Sequence, residues 1–439
     1  MILLQNVVWL VVLIGVMILV HELGHYWAAR LFDVRIDVFS FGFGPRLFGF
    51  RRGETDFRFS AILFGGYVKM AGEQPGDENI DDPRAFLAKP RWQRLIIAFA
   101  GPAMNIVLAV ALVTGMFMVR YPKPPASLQE GVIGYVTPGS PAAKAGIREG
   151  DRIVTVENVQ NPTWEDIALK EIASANRPLH VRIERGGQQF NKTVVPAADD
   201  RTGLAVAGWQ QQGEVEIGAL SPGNLPAEKA GLRKGDILLR VNGQPIRSQA
   251  RLHEVINGAD GKPIELEYMR DGRTHQVTIQ PVFDKAGGTG RWMIGVYPVP
   301  RMIITQLSLP EALKESVSQN MKSATLIYSF LQGIVERRMS AKSIQGPIGI
   351  AQLSGEAARE GALAFISLMA MVSLNLAIFN LLPIPILDGG VILLLLVEMI
   401  MRRDLSLRVK EAVFKLGFVF LMAIMAFVLY NDISKMLPG

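Results

Sequence analysis

Long uncharged blocks alternate with polar stretches along the chain, and four of these blocks are long enough to cross a membrane. They cover Met1–Val20, Leu95–Val119, Ala362–Leu387 and Ala412–Asn431, the last of which contains one charged residue, Lys415. A helix rises about 1.5 Å per residue, so about 20 apolar residues span the hydrocarbon core of a bilayer. The pattern therefore predicts an α-helical membrane protein with four transmembrane helices.

The first block has the length of either a signal peptide or a membrane helix. It lacks a basic segment before its apolar core and a small-residue cleavage site, and it runs directly into the polar sequence His21-Glu-Leu-Gly-His25. These are not the features of a cleaved signal. An uncleaved membrane helix is the preferred interpretation.

The distribution of lysine and arginine predicts the orientation of the helices. Residues 30–94 carry eleven of these side chains and residues 402–415 carry five, whereas residues 1–10 carry none. Basic loops stay on the cytoplasmic side. Both termini and the long segment from about 120 to 360 are then expected outside, which in a bacterium is the periplasmic side of the inner membrane.

The outer segment contains an internal repeat with an offset of 85 residues. Pro141–Asp151 aligns with Pro226–Asp236, and each copy continues into a short alternating strand. A repeat of this length fits two tandem small domains better than a solenoid. The pattern resembles bacterial PDZ domains, which are α+β domains that bind extended peptides along a sheet edge. Substrate binding, substrate filtering and a spacer role remain open for the two copies.

These features divide the chain into five predicted regions. They are a membrane half at 1–119, PDZ copies at 120–205 and 206–300, an amphipathic linker helix within 301–360, and a second membrane half at 361–439. In the linker, apolar residues recur at helical spacing over Ala312–Arg337. We expect this helix either on the membrane surface or packed against the PDZ pair.

The composition narrows the possible chemistry. The 439 residues include no cysteine, which excludes a disulfide framework, a thiolate zinc site and a cysteine nucleophile. Apolar residues make up 49% of the chain, and the net charge is only +6. Because the basic residues follow the membrane topology and form no continuous patch, nucleic acid is not an expected partner.

The sequence His21-Glu22-Leu23-Gly24-His25 carries the strongest chemical signal. Positions i and i+4 share one face of a helix, so both imidazoles can bind one zinc ion, with Glu22 beside it as the general base for a water molecule. Ionisable groups within a membrane span are costly and usually functional. The alternative is that both histidines reach from the helix end to the cytoplasmic surface.

A catalytic zinc ion usually has three protein ligands, so two histidines leave one missing. The other histidines lie in the outer domains, at 180, 253 and 275. Asp388 follows two prolines in the third apolar block, where an irregular backbone can line a cavity. It is therefore the predicted third ligand, and it is also expected to cap the helix that begins at residue 389.

Three further polar residues in or between the apolar blocks are assigned a role. Asn380 is predicted to hold the substrate backbone or the oxyanion of a tetrahedral intermediate, with an interhelical hydrogen bond as the alternative. Asn105 is interpreted as a packing or helix-breaking residue. Glu398, near the end of a helix, is interpreted as a charge that reaches the membrane surface.

Together these motifs resemble the site-2 intramembrane zinc metalloproteases over nearly the whole chain. The shared features are HELGH in the first crossing, Asn380 and Leu387-Asp388-Gly389 in the third, Phe41-Gly-Phe-Gly44, Gly65–Met70, Gly346-Pro-Ile-Gly349 and the tandem PDZ copies. The resemblance implies that His21, His25 and Asp388 bind Zn²⁺ and that Glu22 is the base.

The resemblance also implies a membrane-associated β-hairpin, at Val38–Phe48 and Phe57–Val68, with Gly42 and Gly44 near the substrate. Unpaired backbone groups cost several kcal/mol each in lipid, so an unwound substrate strand would be stabilised by pairing with such a hairpin. The alternative is a structural hairpin that closes the cytoplasmic mouth of the site.

The predicted function is therefore an intramembrane zinc endopeptidase that cuts transmembrane segments of single-pass proteins in the lipid bilayer. The resemblance implies substrates already trimmed by a site-1 protease, such as an anti-sigma factor of a stress response, and leftover signal peptides. The competing hypothesis is a non-catalytic PDZ scaffold with a structural metal. That hypothesis needs a fourth protein ligand, for which the membrane blocks offer no candidate.

Overall fold

The computed structural model describes residues 2–73, 82–123, 125, 131–198, 205–223, 225–284, 290–336 and 346–436. The chain forms two compact units. The first comprises residues 1–121, 306–327 and 344–439, and the second comprises residues 122–305 and 328–343. All four long apolar blocks thus belong to the first unit, and the internal repeat belongs to the second.

The helices and strands follow the chain in this order. The helices are α1 (Ile2–Leu31), α2 (Arg91–Val119), α3 (Pro141–Lys144), α4 (Trp164–Ala173), α5 (Pro226–Lys229), α6 (Gln249–Gly258), α7 (Leu309–Val335), α8 (Pro347–Glu360), α9 (Ala362–Asn380), α10 (Asp388–Met401) and α11 (Leu407–Met436). The strands are β1 (Ile36–Arg52), β2 (Thr55–Met70), β3 (Tyr121–Lys123), β4 (Ile133–Val136), β5 (Arg152–Val156), β6 (Val159–Gln160), β7 (Leu179–Arg185), β8 (Gln188–Val194), β9 (Ala197–Ala198), β10 (Ala205–Val206), β11 (Trp209–Gln211), β12 (Val215–Leu220), β13 (Ile237–Val241), β14 (Gln244–Pro245), β15 (Ile264–Arg270), β16 (Arg273–Ile279), β17 (Val282–Asp284), β18 (Arg291–Met293), β19 (Val296–Pro300) and β20 (Ile303–Thr305).

Four helices among the described residues are long and apolar enough to span a membrane. They are α1, α2, α9 and residues 408–434 of α11. Their number agrees with the four predicted transmembrane helices, although the third predicted block is divided. Helix α9 ends at Asn380, and the chain passes Pro383 and Pro385 before α10 begins. Proline lacks an N–H and clashes with the preceding helical turn, which explains the break.

Close helix packing builds the centre of the first unit. Leu13 and Met17 of α1 pack with Phe365 and Met369 of α9. A Cβ at Gly24 would collide with the backbone carbonyl of Ala100, so α1 and α2 approach closely at this glycine. The small residue inside the HELGH sequence therefore has a packing role as well as a place in the motif.

The GPIG sequence is explained by a contact with the last helix. The carboxylate of Asp432 in α11 accepts hydrogen bonds from the N–H groups of Gly346, Ile348 and Gly349, at 2.9, 3.0 and 3.1 Å. These groups lie at the start of α8, where backbone N–H groups have no partner within the helix. Asp432 therefore stabilises α8 from a distant part of the chain.

Strands β1 and β2 pair with each other and cover longer ranges than the predicted hairpin segments. Residues 38–41 of β1 lie between two segments of β2, residues 66–69 on one side and residues 56–59 on the other, and residues 46–52 pair with residues 55–60. Phe39 and Val68, near the hairpin base, are buried with Ala29 and Ile97. Towards the turn, Phe48 and Phe50 are exposed. The base is thus fixed to the helices, whereas the far part presents apolar rings.

The predicted linker helix is divided between the two units, and only its last turns have one of the expected environments, contact with the first copy of the repeat. The N-terminal part of α7 packs on the first unit, where Ala312 is buried with Val113 and Ala370 and Ser316 Oγ donates to the carbonyl of Val110 at 2.8 Å. Its last turns belong to the second unit, where Phe330 packs near Ala205. The later part of the predicted linker contains α8. Residues 337–345, between α7 and α8, lie outside the described residues.

The second unit repeats one set of contacts at the offset seen in the sequence. Arg185 Nε donates to Asp151 at 2.6 Å, and Arg270 Nε donates to Asp236 at 2.7 Å. Each copy has its own core and sheet, ordered β6-β5-β7-β8 in the first and β16-β15-β13-β12-β19 in the second. Strand β11 pairs with β4, so the first copy continues to Gln211, beyond the predicted boundary at 205.

Candidate metal centre

The HELGH sequence lies within one uninterrupted helix. Because α1 runs from Ile2 to Leu31, His21 and His25 are one turn apart on the same face. His21 is buried, with 8% of its surface exposed. The sequence therefore determines locally that the two imidazoles converge.

Asp388 approaches the histidines from the broken segment between α9 and α10. It is the first residue of α10, and the N-cap residue is Leu387, with no capping hydrogen bond from a side chain. The expected capping role of Asp388 is therefore wrong. Ile386, two residues earlier, has φ of 88°, a strained conformation for a β-branched residue.

Two glycines after Asp388 allow this segment to fold back on itself. A Cβ at Gly389 would collide with the backbone of Leu381 and Leu382, and one at Gly390 would collide with Ile384. Any larger residue would push the start of α10 away from the preceding loop. The Asp-Gly-Gly sequence thus fixes where the carboxylate lies.

Three side chains meet at distances that fit zinc. Asp388 Oδ2 lies 3.2 Å from His21 Nε2, and Asp388 Oδ1 lies 3.4 Å from His25 Nε2. The two Nε2 atoms are 3.2 Å apart. Ligands at about 2.0–2.2 Å from a tetrahedral zinc ion are separated from each other by about 3.3–3.6 Å. The three residues therefore form a triangle whose sides, measured to the nearer oxygen of Asp388 in each case, are close to those of a zinc site.

The protonation of His25 also fits a cation. Its Nδ1 donates a hydrogen bond to the backbone carbonyl of Ile97 at 2.8 Å, which leaves a lone pair on Nε2. This lone pair faces the carboxylate of Asp388, which is likewise an acceptor when ionised. Acceptor atoms that converge without a donor are stabilised by a metal ion between them.

Asn105 of α2 lies behind the other histidine and was not recognised from the sequence as part of the site. Its Nδ2 is 3.3 Å from His21 Nδ1, and the residue is completely buried. The available signal was its polarity within a block free of charge, since a buried polar side chain needs a partner.

A cavity of about 730 Å³ opens beside the three ligands. Glu22 and Asn380 line it together with His21, His25 and Asp388. The predicted base and the predicted substrate-binding residue are thus brought to the same space as the predicted ligands. An open cavity next to the triangle leaves room for water and substrate, as a catalytic site needs.

Strand β2 forms one wall of this cavity through Gly66, Tyr67 and Val68. A Cβ at Gly66 would come within 3.2 Å of Cγ of Glu22, so the strand passes close to the predicted base. Gly42 and Gly44 lie in β1 and are not among the described residues that line the cavity. A substrate-facing role for these two glycines stays a prediction.

The lining of the cavity also includes a pair of opposite charges. Glu398 is 1% exposed, and its carboxylate lies 2.7 Å from Lys410 Nζ and accepts a hydrogen bond from the N–H of Leu405 at 2.9 Å. The interpretation of Glu398 as a charge at the membrane surface is therefore wrong. The chain turns back after α10 and brings Lys410 onto it.

Asp404, in the same turn, contacts Arg91 and Arg94 of α2. Partial burial alone would raise the pKa of Asp404, but the hydrogen bond from Arg91 and the positive charges of Arg91, Arg94 and Lys410 outweigh it and hold this pKa below its usual value. The turn after α10 is thus held to α2 by ion pairs.

Gly101 leaves the space that the imidazoles occupy. A Cβ there would collide with His25 Nε2 and lie 2.9 Å from His21 Cε1. We expect Gly101→Ala to weaken zinc binding by about 10- to 100-fold, the range seen when the surroundings of a metal ligand are disturbed. The measurement is zinc affinity by competition with a chelator.

The matched control for this substitution is Gly115→Ala in the same helix. A Cβ at Gly115 meets no described atom within 4 Å. This variant should bind zinc as the parent does and gain about 0.5–1 kcal/mol in stability from the better helix former. Equal zinc affinity of the two variants would contradict the packing argument.

Comparisons with known proteins show which chains this one is similar to. Residues 9–424 match the family model described as peptidase family M50. The chain is 31% identical to the regulator of sigma-E protease RseP of Salmonella typhimurium, with 99% of both chains covered. It is 33% identical to a putative zinc metalloprotease of Xylella fastidiosa, with 98% of this chain and 99% of that one covered.

A relative and a solved structure complete the comparison. RseP of Escherichia coli is 29% identical, with 97% of this chain and 98% of that one covered. Among solved structures, the PDZ domain of an SdrC-like protein from Listeria monocytogenes matches 20% of this chain and 90% of its own, at 21% identity and a TM-score of 0.18. A similarity at that score carries no argument for the fold.

Proposed function

The chain belongs to peptidase family M50, the site-2 protease family, and on that premise we propose that it hydrolyses peptide bonds within membrane-spanning segments. It is a zinc metalloprotease, as the sequence predicted. We also propose where the scissile bond lies, which residues take part in its hydrolysis and which class of protein is the substrate.

One observation carries the proposal for the site. Side-chain atoms of His21, His25 and Asp388 lie 3.2–3.4 Å from one another beside an open cavity, and both histidines belong to a helix long enough to span a membrane. When held there, zinc would polarise the scissile carbonyl and make water a stronger nucleophile. Three ligands with an adjacent cavity are typical of catalytic sites, whereas structural zinc sites are closed by four ligands.

Glu22 is proposed to move the proton. It follows His21 on α1 and lines the same cavity, so its carboxylate can take a proton from the attacking water and give it to the leaving amine nitrogen. Asn380, on the cavity wall at the end of α9, is proposed to donate a hydrogen bond to the substrate carbonyl oxygen. Both roles use side chains that the fold brings to one space.

Strand β2 is proposed to hold the unwound substrate. Residues 66–69 of β2 pair with residues 38–41 of β1 on one side and with no other strand among the described residues, and this segment of β2 lines the cavity. A substrate helix must unwind before its amide can be attacked, and its freed backbone groups would be costly in lipid. Pairing with the edge of β2 satisfies them next to the site.

The two outer copies are proposed to be PDZ domains with unequal roles. In the first copy the carboxylate of Glu171 accepts hydrogen bonds from the N–H of Ala207 and from the indole of Trp209. The residue 85 positions later in the second copy is Ile256, which has no such group. The backbone N–H of Ala207 already donates to Glu171, so it is not free to pair with a peptide strand. We therefore propose that the first copy is a spacer or sieve.

The second copy keeps an open groove. A cavity of about 680 Å³ lies beside β19, the last strand of its sheet, and is lined by Ile256 of α6 among others. An edge strand beside a helix is the arrangement in which PDZ domains add a peptide strand. This supports a docking role for the second copy.

The proposed substrates are single-pass membrane proteins already trimmed outside the membrane by a site-1 protease, such as anti-sigma factors, and signal-peptide remnants. The regulators of sigma-E protease to which the chain is similar support this class. With basic residues concentrated at 30–94 and 402–415, the proposed orientation in the bacterial inner membrane has both termini and both PDZ copies in the periplasm.

A substrate with a removable outer domain tests both the position of the cut and the role of the outer copies. We expect mass spectrometry to place the new chain ends inside the apolar span, and we expect cleavage to be at least about tenfold faster after the outer domain is removed. The protein is placed in lipid nanodiscs, and the control substrate has a linker that the trimming enzyme cannot cut. New ends outside the span would contradict intramembrane cleavage, and equal rates would contradict the filter.

A further inference from the structure

Asn105 is the buried polar side chain next to the proposed zinc site that no role described so far explains. It is completely buried in α2, and its backbone carbonyl accepts a hydrogen bond from Ser373 Oγ of α9 at 2.9 Å. Its side chain points at His21, where Nδ2 lies 3.3 Å from Nδ1. Its Oδ1 is buried without a hydrogen-bond partner among the described residues.

The chemistry of the imidazole decides which amide atom belongs opposite Nδ1. For His21 to offer the lone pair of Nε2 to a cation, its proton must sit on Nδ1, which is then a donor. A donor opposite the NH₂ group of Asn105 would be repelled. A half-turn of the amide exchanges Oδ1 and Nδ2, two atoms that are distinguished only by their hydrogen bonds, and presents an acceptor.

The second histidine provides a parallel on the same helix. His25 Nδ1 donates to the backbone carbonyl of Ile97, also in α2. One face of α2 therefore offers an acceptor to each imidazole, a main-chain carbonyl for His25 and a side-chain carbonyl for His21. Only the second of these can be removed by substitution.

We propose that Asn105 is a positioning residue for the metal site, whose side-chain carbonyl accepts a hydrogen bond from Nδ1 of His21 and so keeps Nε2 of that ring directed at zinc. This inference rests on the proposed zinc site. Partners of this kind fix the orientation and the tautomer of a ligating histidine. Asn105 itself touches neither zinc nor substrate.

Zinc affinity of the full-length protein in detergent tests the proposal without measuring proteolysis. Asn105→Leu and Asn105→Ala remove the acceptor, and we expect zinc to bind about 10- to 100-fold more weakly to both. Asn105→Asp keeps an acceptor in the same place, and its affinity should stay within about threefold of the parent or be tighter. If zinc affinity is normal with aspartate and weak with leucine and alanine, the effect comes from the lost hydrogen bond and not from altered packing.

The matched control is Asn375→Leu in α9. Asn375 also has a buried Oδ1 without a partner among the described residues, but it does not line the cavity. Its substitution should leave zinc affinity unchanged. Thermal unfolding of each variant identifies those that fold, and either Asn105→Leu or Asn105→Ala suffices for the comparison with aspartate.

The possible outcomes separate this inference from the proposed function. If the parent binds zinc and the leucine or alanine variant binds it equally well, the role of Asn105 is refuted while the zinc site stands. The same holds if Asn105→Asp is as weak as Asn105→Leu. If the parent binds no zinc, or if His21→Ala binds it unchanged, the proposed site itself is wrong.

Discussion

Replacing Glu22 with glutamine should lower the rate of substrate cleavage by at least about 100-fold, because general acid–base catalysis typically contributes about 10²–10⁴-fold. Glutamine has nearly the same shape as glutamate but cannot accept a proton from water at neutral pH. Glu22 lines the cavity next to His21 and His25, and Gly66 of β2 packs closely against its side chain. The substitution therefore removes the chemistry and preserves the packing.

Cleavage of a purified single-pass substrate in nanodiscs measures this effect, and zinc content is the control. The proposed zinc ligands are His21, His25 and Asp388 and do not include Glu22, so Glu22→Gln should keep zinc at the level of the parent. Loss of cleavage with retained zinc supports the assignment. Undiminished cleavage by Glu22→Gln would refute the proposed mechanism.

Replacing Asp388 with asparagine should weaken zinc binding by more than about 100-fold. This is a larger effect than the 10- to 100-fold loss that usually follows when a residue that only contacts a metal ligand is replaced. The carboxylate lies 3.2 and 3.4 Å from the two histidine nitrogens and supplies the negative charge of the triangle. An amide oxygen is neutral and binds zinc poorly. Cleavage should disappear with the metal.

Two controls make this result specific. Asp404→Asn changes another aspartate of the first unit, one paired with Arg91 rather than with the histidines, and it should bind zinc normally. A chelator should abolish cleavage by the parent, and added zinc should restore it. A parent that remains fully active without zinc would favour the scaffold hypothesis, in which any metal is structural.

The backbone around Asp388 has an unfavourable conformation, and the proposed function of Asp388 explains why it is kept. Ile386 adopts a positive φ, and two prolines prevent a continuous helix across the membrane-spanning region. If one straight helix continued from α9 into α10, no helix would begin beside α1 at this point. The break therefore places a carboxylate at the level of the histidines, with Gly389 and Gly390 making room for the return of the chain.

Several parts of the protein were determined by sequence alone because their causes are local. The length of the apolar blocks predicts four spanning helices, and helical periodicity places His21 and His25 on one face. The repeat at 85 residues recurs as matching ion pairs at Asp151 and Asp236. The chemistry of zinc and the proline break selected Asp388 from few candidates.

The tertiary structure alone decided which distant residues meet. Asn105 and His21 are 84 positions apart, and no periodicity indicates that α2 turns this side chain towards α1. Likewise β2 rather than the glycines of β1 lines the cavity, and Glu398 pairs with Lys410 instead of reaching the surface. Such neighbours depend on how helices cross and where loops return. These are set by the close packing of many side chains and not by any one segment.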